Sequence, residues 1–192
     1  LSFLNLITVF SFASQDPTYI SGPEVEDFID RVAQKYDLEA RDLGYFLYNA
    51  KYQPGVIAAI QKPAEKLPWH KYETLFLNDK RIKSGVKFWQ ENADTLERAS
   101  KQYGVPPQLI VALIGVETFY GGNKGKYPVL DSLATLAFYY KPRSAFFTSE
   151  LENFLVLSRE DSSDPRNYLG SYAGAMGYPQ FIPSSIRNYA VD

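Results

Sequence analysis

The 192-residue chain has no cysteine, which excludes disulfides, thiolate metal sites, a cysteine nucleophile and a lipid-modified cysteine anywhere in this sequence. Histidine is almost as scarce. With His70 alone, in LPWHKYE, a histidine zinc site or a Ser-His-Asp triad lacks the partners its chemistry requires, so this imidazole reads as structural or surface. An excess of one charge is missing too. Twenty Lys and Arg against 22 Asp and Glu leave a net charge of −2, and no basic run offers a groove for DNA or RNA. There is no stretch of strong period-two alternation, no internal repeat and no low-complexity tract. The loop GGNKGKYPV (121–129) resembles a phosphate-binding loop only superficially: the glycine spacing is wrong, and Tyr127 stands where Ser or Thr should follow the lysine.

What the chain has is apolar and aromatic mass, 45% and 16% of residues, enough to bury a core in one or two domains. The opening LSFLNLITVFSFASQ is uncharged and gives way to polar QDPTYISGPE, so residues 1–14 read as the remnant of a secretory signal, cut after Ala13, or else as a buried N-terminal helix. Without an initiator Met or a basic leading segment, the sequence reads as a fragment. Export would place it in a periplasm or outside the cell.

From Pro23 onward the periodicity is helical, and the expected fold class is mainly α. Val25, Phe28, Ile29, Val32 and Tyr36 mark one stripe, Leu43, Phe46 and Leu47 a second, and PGVIAAIQ a third helix. Ile82 through Tyr103 keeps one face apolar for about six turns, as one long helix or two stacked ones, and Gly104 supplies the stop. VPPQLIVALIGVETFYGG opens on prolines and closes on paired glycines; being apolar on all sides, it should run through the interior. VLDSLATLAFYY and SAFFTSELENFLVLSRE give two more helices, with Asp131 or Ser132 and Ser144 near their starts. The segment DSSDPRNYLGSYAGAMGYPQFIPSS (161–185) reads as a long loop of small and aromatic residues.

Within LIVALIGVETFYGG, eight apolar or glycine residues run up to a single acid, Glu117. In the last turn of a helix it would face partial negative charge and free carbonyls, and Leu113 and Ile114 one turn back would desolvate it; both effects favour the protonated acid, the form a general acid needs. Position alone equally allows a Glu emerging into solvent. The loops that follow, rich in Ser, Gln and aromatic rings, are of the kind that lines carbohydrate grooves. Glycosidases usually place two carboxylates across the scissile bond. Here the candidates for a second acid are weak: Asp131 reads as a helix cap, and Asp161 and Asp164 as a solvated turn. One carboxylate acting first as acid and then as base, with the nucleophile supplied by the substrate, is therefore in play.

These same residues carry a resemblance. VPPQLIVALIGVETFYGG, VLDSLATLAF and GSYAGAMGYPQFIPSS with YAVD, together with upstream LPWHKYETLFL and GVKFWQENADTLERASKQYGVPP, resemble the membrane-bound lytic transglycosylase B family, glycoside hydrolase family 103, over residues 23 to 192. The resemblance implies a lysozyme-like catalytic core over 104–192, additional N-terminal helices over 15–103, and a C-terminal part missing beyond NYAVD, where relatives continue into a loop that binds calcium in some members. It implies cleavage of the MurNAc-β-1,4-GlcNAc bond of peptidoglycan without water, leaving 1,6-anhydro ends, with Glu117 as the single acid/base and no cofactor. It implies substrate contacts from Ser171, Gln180, Phe181, Tyr178, Tyr72 and Arg143, with no metal ligands in this chain. On residue type alone, Phe181 and Tyr178 fit a core as well as a groove. Pro142 replaces the first of the family's basic pair, though Lys141 stands beside it, and Pro179 and Tyr127 are further departures. Peptidoglycan strands are the implied partner, with a cell-wall protein complex a further one and a monomer the expected state. A hydrolytic lysozyme and a non-catalytic peptidoglycan-binding module are the rival readings.

Overall fold

The computed structural model describes residues 18–62 and 68–191. The leader expected over 1–14 lies outside the described residues. Among the described residues ten α-helices follow one another, with short 3-10 turns between some of them. The first three, α1 (Pro23–Tyr36), α2 (Ala40–Tyr48) and α3 (Pro54–Gln61), form where the apolar stripes predict them. Proline sits in the first turn of α1 and α3, where its missing N–H costs nothing. The expected long helix is two, α5 (Asp79–Glu91) and α6 (Ala93–Tyr103), preceded by the single turn α4 (Trp69–Tyr72). The break falls at Asn92, where the backbone leaves the helical region (φ −120°, ψ 19°); its backbone amide still donates to the Phe88 carbonyl at 3.1 Å, and its side-chain amide adds a second bond to that carbonyl at 2.8 Å. Gly104 ends α6 in the left-handed conformation, as anticipated.

The helix that runs through the interior is not the one the sequence suggests. The interior is crossed by α8 (Val129–Tyr139), buried at every position from Ser132 to Phe138, and not by α7 (Pro107–Thr118). On α7 only Val111, Gly115 and Thr118 are buried; the opposite stripe of Leu109, Leu113 and Val116 is 55%, 62% and 48% exposed. Both stripes step by four and then three residues, so each is a genuine helix face. Helices α5 and α6 cover one of them, and nothing among the described residues covers the other.

The main core joins α1, α2 and α3 to α8 and α9 (Ser144–Glu160), with Val32, Leu47, Val56, Leu133, Leu136, Leu151 and Phe154 fully buried in it. It draws residues from both sides of position 103. A last helix, α10 (Pro183–Tyr189), packs on α9 in what reads as the end of the long loop. Its first turn is capped from below: the buried Glu150 accepts the Ser184 amide at 3.0 Å. Among the described residues the sheet is one antiparallel pair, β1 (Tyr127–Pro128) with β2 (Leu169–Gly170), and this pair brings the glycine loop beside the residue 171–182 loop.

Glu152 ties α9 to α1. Its buried carboxylate accepts from Arg31, from Lys35 at 2.6 Å and from the Tyr36 hydroxyl at 2.8 Å. Burial pushes its ionisation up, but the three donors together outweigh that and hold the group below the ordinary carboxylate value. A carboxyl with a lowered value stabilises the fold above its unfolded value of 4.5 and loses that contribution as the pH falls through the folded one. Glu152→Gln should therefore lower stability near neutral pH by about 1–3 kcal/mol. In thermal melts the deficit relative to wild type should shrink as the pH drops below 4.5; an equal deficit at pH 7 and pH 3 would contradict the assignment.

Candidate active site

Glu117 sits one residue before the end of α7, and the way that helix stops determines what surrounds it. The glycines at 121 and 122 suggest the stop in sequence, but the chain turns left-handed earlier, at Phe119 (φ 52°) and Tyr120 (φ 59°), before Gly121 (φ 86°). Left-handed backbone is unfavourable for aromatic residues and persists only where packing imposes it. Here the Tyr120 ring is wedged between α5 and α7: a Cβ at Gly115 would lie 2.6 Å from its hydroxyl oxygen, and one at Gly85 would lie 2.5 Å from it. The ring also rests on Phe88, with centroids 5.6 Å apart. Arg81 completes the stop. Its guanidinium donates to the Gly115 carbonyl and lies over the Phe76 and Phe119 rings at 5.0 and 4.9 Å, placing a cation at the negative end of α7.

Thr118, next to the acid, joins this helix end to the second loop. Its buried hydroxyl accepts the Gly121 amide at 3.0 Å and lies 3.0 Å from the Tyr178 carbonyl, to which it can donate. The Asn123 amide donates 2.8 Å to the Thr118 carbonyl. Nothing in the sequence marks Thr118 for this part beyond its place in GVET.

Between the two loops opens a cleft of about 580 Å³. Glu117, Ser171 and Gln180 line it together, along with Asn123, Lys124, Lys126, Tyr127 and Tyr172. Glu117 is the one carboxylate in that lining. It is exposed, Leu113 turns to solvent and Ile114 is half-buried, so the apolar enclosure expected around the acid is not formed by the described residues. The expectation fails for the same reason as the buried course of α7: the helix has a partner on one side only.

The polar groups of the cleft are oriented by the backbone. Ser171 Oγ accepts the amides of Ala173 and Ala175 at 3.3 and 3.1 Å, which leaves its own proton to donate. Gln180 takes a left-handed conformation (φ 50°), and its side-chain nitrogen donates to the carbonyls of Lys124 and Gly177 at 3.1 and 3.0 Å. Both amide hydrogens being used, the side-chain oxygen is the part left to meet a ligand. Tyr178 is 45% exposed, with the Lys124 ammonium 4.9 Å from its ring. Phe181, 41% exposed, is backbone-paired with Met176 on the far side of the loop. Neither is core.

Two other expected contact residues stand apart from this cleft. Tyr72 belongs to an aromatic row with the exposed Trp69 and the half-buried Phe76, and Arg143 lies over Phe146, 4.2 Å from the ring, in the turn before α9. His70 is on the surface of α4. Asp131 is occupied structurally: its carboxylate accepts the Lys51 amide at 3.0 Å and the Gln53 side chain at 2.9 Å, fastening the segment before α3 to α8. Asp164 is held by Arg166 through its side chain and backbone, which depresses its ionisation, in the turn foreseen for it. Asp161 ends α9. Among the described residues no three His, Asp or Glu side chains converge as a metal site. The site elements that escaped sequence reasoning are Lys124, Lys126, Asn123 and Tyr172, all in polar or mixed loops that give no periodic signal.

The ten-helix fold of the described residues matches the lysozyme-like class of transglycosylases. Residues 21–192 match the model of the transglycosylase SLT domain, and the chain belongs to that family. It is 41% identical over 184 residues to the membrane-bound lytic murein transglycosylase B of Escherichia coli K12, covering 91% of this chain and 51% of that protein. The soluble lytic transglycosylase SltB1 of Pseudomonas aeruginosa superposes with a TM-score of 0.87 at 47% identity, over 88% of this chain and 58% of that one. E. coli Slt35 in complex with calcium gives 0.85 at 40%, over 92% and 60%. P. aeruginosa SltB3, solved with NAG-NAM-pentapeptide, gives 0.80 at 29%, over 88% and 45%. The chain thus spans about half the length of the relatives it matches. No described helix is long and apolar enough to cross a membrane.

Proposed function

We propose that the protein of which this chain is part is a lytic transglycosylase that cleaves the MurNAc-β-1,4-GlcNAc bond of peptidoglycan, with Glu117 as its single acid and base. The observation that carries this reading is the cleft in which Glu117 is the sole carboxylate, flanked by a hydroxyl and an amide held in fixed orientation. In the first step protonated Glu117 gives its proton to the glycosidic oxygen, the C1–O bond breaks, and GlcNAc leaves with a free 4-hydroxyl. Positive charge developing at C1 is eased by the muramoyl acetamido group. In the second step the Glu117 carboxylate takes the proton of the muramoyl C6 hydroxyl as O6 closes on C1, giving the 1,6-anhydro ring and restoring the acid. No water is consumed, so no second carboxylate is required.

Ser171 donates and Gln180 Oε1 accepts at sugar hydroxyls or acetamides, and the rings of Tyr127 and Tyr172 in the lining offer stacking faces, with the exposed Tyr178 beside Lys124 a further one. A strand filling the cleft would expel water from Glu117, supplying the desolvation that the open site lacks. Phe181, Tyr72 and Arg143 would act at outer subsites along the same glycan. The enzyme would act as a monomer in the periplasm or as an exported protein, without a cofactor; a calcium site, where relatives have one, would not involve these residues.

Solvent exposure of Glu117 is the one feature that favours a hydrolytic muramidase, in which water attacks C1. Product mass separates the two. The full chain incubated with purified murein sacculi should release anhydro-muropeptides lighter by one water than lysozyme products. Reducible ends would establish the hydrolase instead, and binding without release a non-catalytic module.

A further inference from the structure

Resting on the reading above, we propose that Lys124 and Lys126 form a carboxylate-binding rim of the cleft, which selects glycan strands by the acidic substituent on the muramoyl lactyl arm. Both lysines line the cleft, in a protein whose overall charge is negative. Among the described residues neither is paired with an acid: the ion pairs of this structure involve other lysines and arginines. The one carboxylate within the same lining is Glu117. A surface lysine usually has freedom to swing away, but this pair stands on a pinned loop. Gly125 between them is left-handed (φ 93°) and packed directly on the Gly170 carbonyl and the Ser171 amide. The Lys124 carbonyl is held by Gln180, and Tyr127 pairs with Gly170 in the β1–β2 ladder. The Lys124 ammonium is further held over the Tyr178 ring. The loop therefore anchors the backbone of two cationic residues beside the acid that acts on the muramoyl C1.

A β-1,4 backbone of N-acetylated sugars is uncharged. The anionic groups on such a strand are carboxylates on the muramoyl lactyl arm: those of the attached peptide, or the lactyl carboxylate itself where the peptide has been removed. These are the ligands the rim fits, and both sources share the chemistry. Ammonium groups act as point charges with flexible stems, which suits a carboxylate presented on a variable peptide better than a rigid bidentate clamp would.

The test uses the full chain carrying Glu117→Gln, so that binding is read without turnover, with and without Lys124→Gln plus Lys126→Gln. Three soluble probes are titrated at low salt: glycan strands with peptide, strands stripped by an amidase that leaves the lactyl carboxylate, and chitooligosaccharides with no carboxylate. The affinity ratio of a carboxylate-bearing strand to chitooligosaccharide should fall about five- to tenfold in the lysine double variant. Added salt should erode the wild-type preference in the same direction. A fall with peptide-bearing strands alone assigns the rim to the peptide carboxylates, a fall with stripped strands alone assigns it to the lactyl carboxylate, and a fall with both shows that it takes either. A ratio unchanged by the double variant overturns the proposal. Glycan-cleaving activity is scored separately on sacculi with Glu117 intact, so failure of the transglycosylase reading shows there and failure of the rim shows here.

Discussion

Glu117→Gln should abolish release of anhydro-muropeptides from sacculi, by about a thousandfold or more, since positioned proton transfer alone contributes about 10²–10⁴ and the proposed mechanism uses the same side chain twice. Glutamine keeps the shape and the hydrogen-bonding atoms of the side chain but has no acidic proton to give and no basic carboxylate to receive the C6 hydroxyl proton. Stability should hardly change. Glu117 is exposed and makes no hydrogen bond or ion pair among the described residues, and substitutions of that kind usually lie within about 0.5 kcal/mol of wild type. The contrast is the informative part: loss of turnover with an unshifted melting temperature and retained binding to glycan strands isolates the chemistry from the fold. Residual activity within about tenfold of wild type would transfer the proton to some other group, and the described residues of the cleft contain no other carboxylate.

The helices were readable because their punctuation is local. Pro23, Pro54 and Pro107 sit in first turns and Gly104 ends α6, and the stripes of α1 and α2 bury the residues their period selects. Periodicity identifies a helix but says nothing of how many neighbours it has. Hence α7, apolar all round, was expected inside, whereas α8, with Asp131, Ser132 and Thr135 in its sequence, is the helix that is enclosed. Its polar atoms are largely answered by distant backbone: Asp131 takes the Lys51 amide and Thr135 the Gln53 amide, both about eighty residues away in sequence. Long-range pairing of this sort leaves no local trace. The buried Glu150 and Glu152 of α9 are the same case, since a charged residue in a helix reads as a solvated face until its partner is known. At the site, Glu117, Ser171 and Gln180 were legible as residue types in an unusual setting. The lysine rim was not, because lysine in a glycine loop looks like any solvated turn.

Gly125→Ala should be the most damaging single-methyl change in the cleft. Two costs coincide at this position. The backbone lies at φ 93°, a region that residues with a Cβ rarely adopt, at a cost of about 1–2 kcal/mol. The added methyl would also overlap the Gly170 carbonyl and crowd the Ser171 amide, which are main-chain atoms that cannot rotate away. Relief requires the loop to lift off β2. That motion would break the Tyr127–Gly170 pairing, pull the Lys124 carbonyl from Gln180 and displace both lysines and Ser171 together. A destabilisation of about 2–4 kcal/mol is expected, in the range of a backbone clash added to a left-handed strain. Cleavage of sacculi should fall with it even at temperatures where the variant remains folded, because the groups proposed to hold the sugar move while Glu117, on the other side of the Thr118 clamp, does not. Gly55→Ala provides the comparison: it adds the same methyl in the first turn of α3, where nothing lies within 4 Å of the new carbon. It should melt at or slightly above wild type. Equal melting temperatures and equal turnover for the two variants would mean that the 121–126 loop is not anchored through Gly125, and the rigidity ascribed to this side of the cleft would have to come from the Gln180 bridge alone.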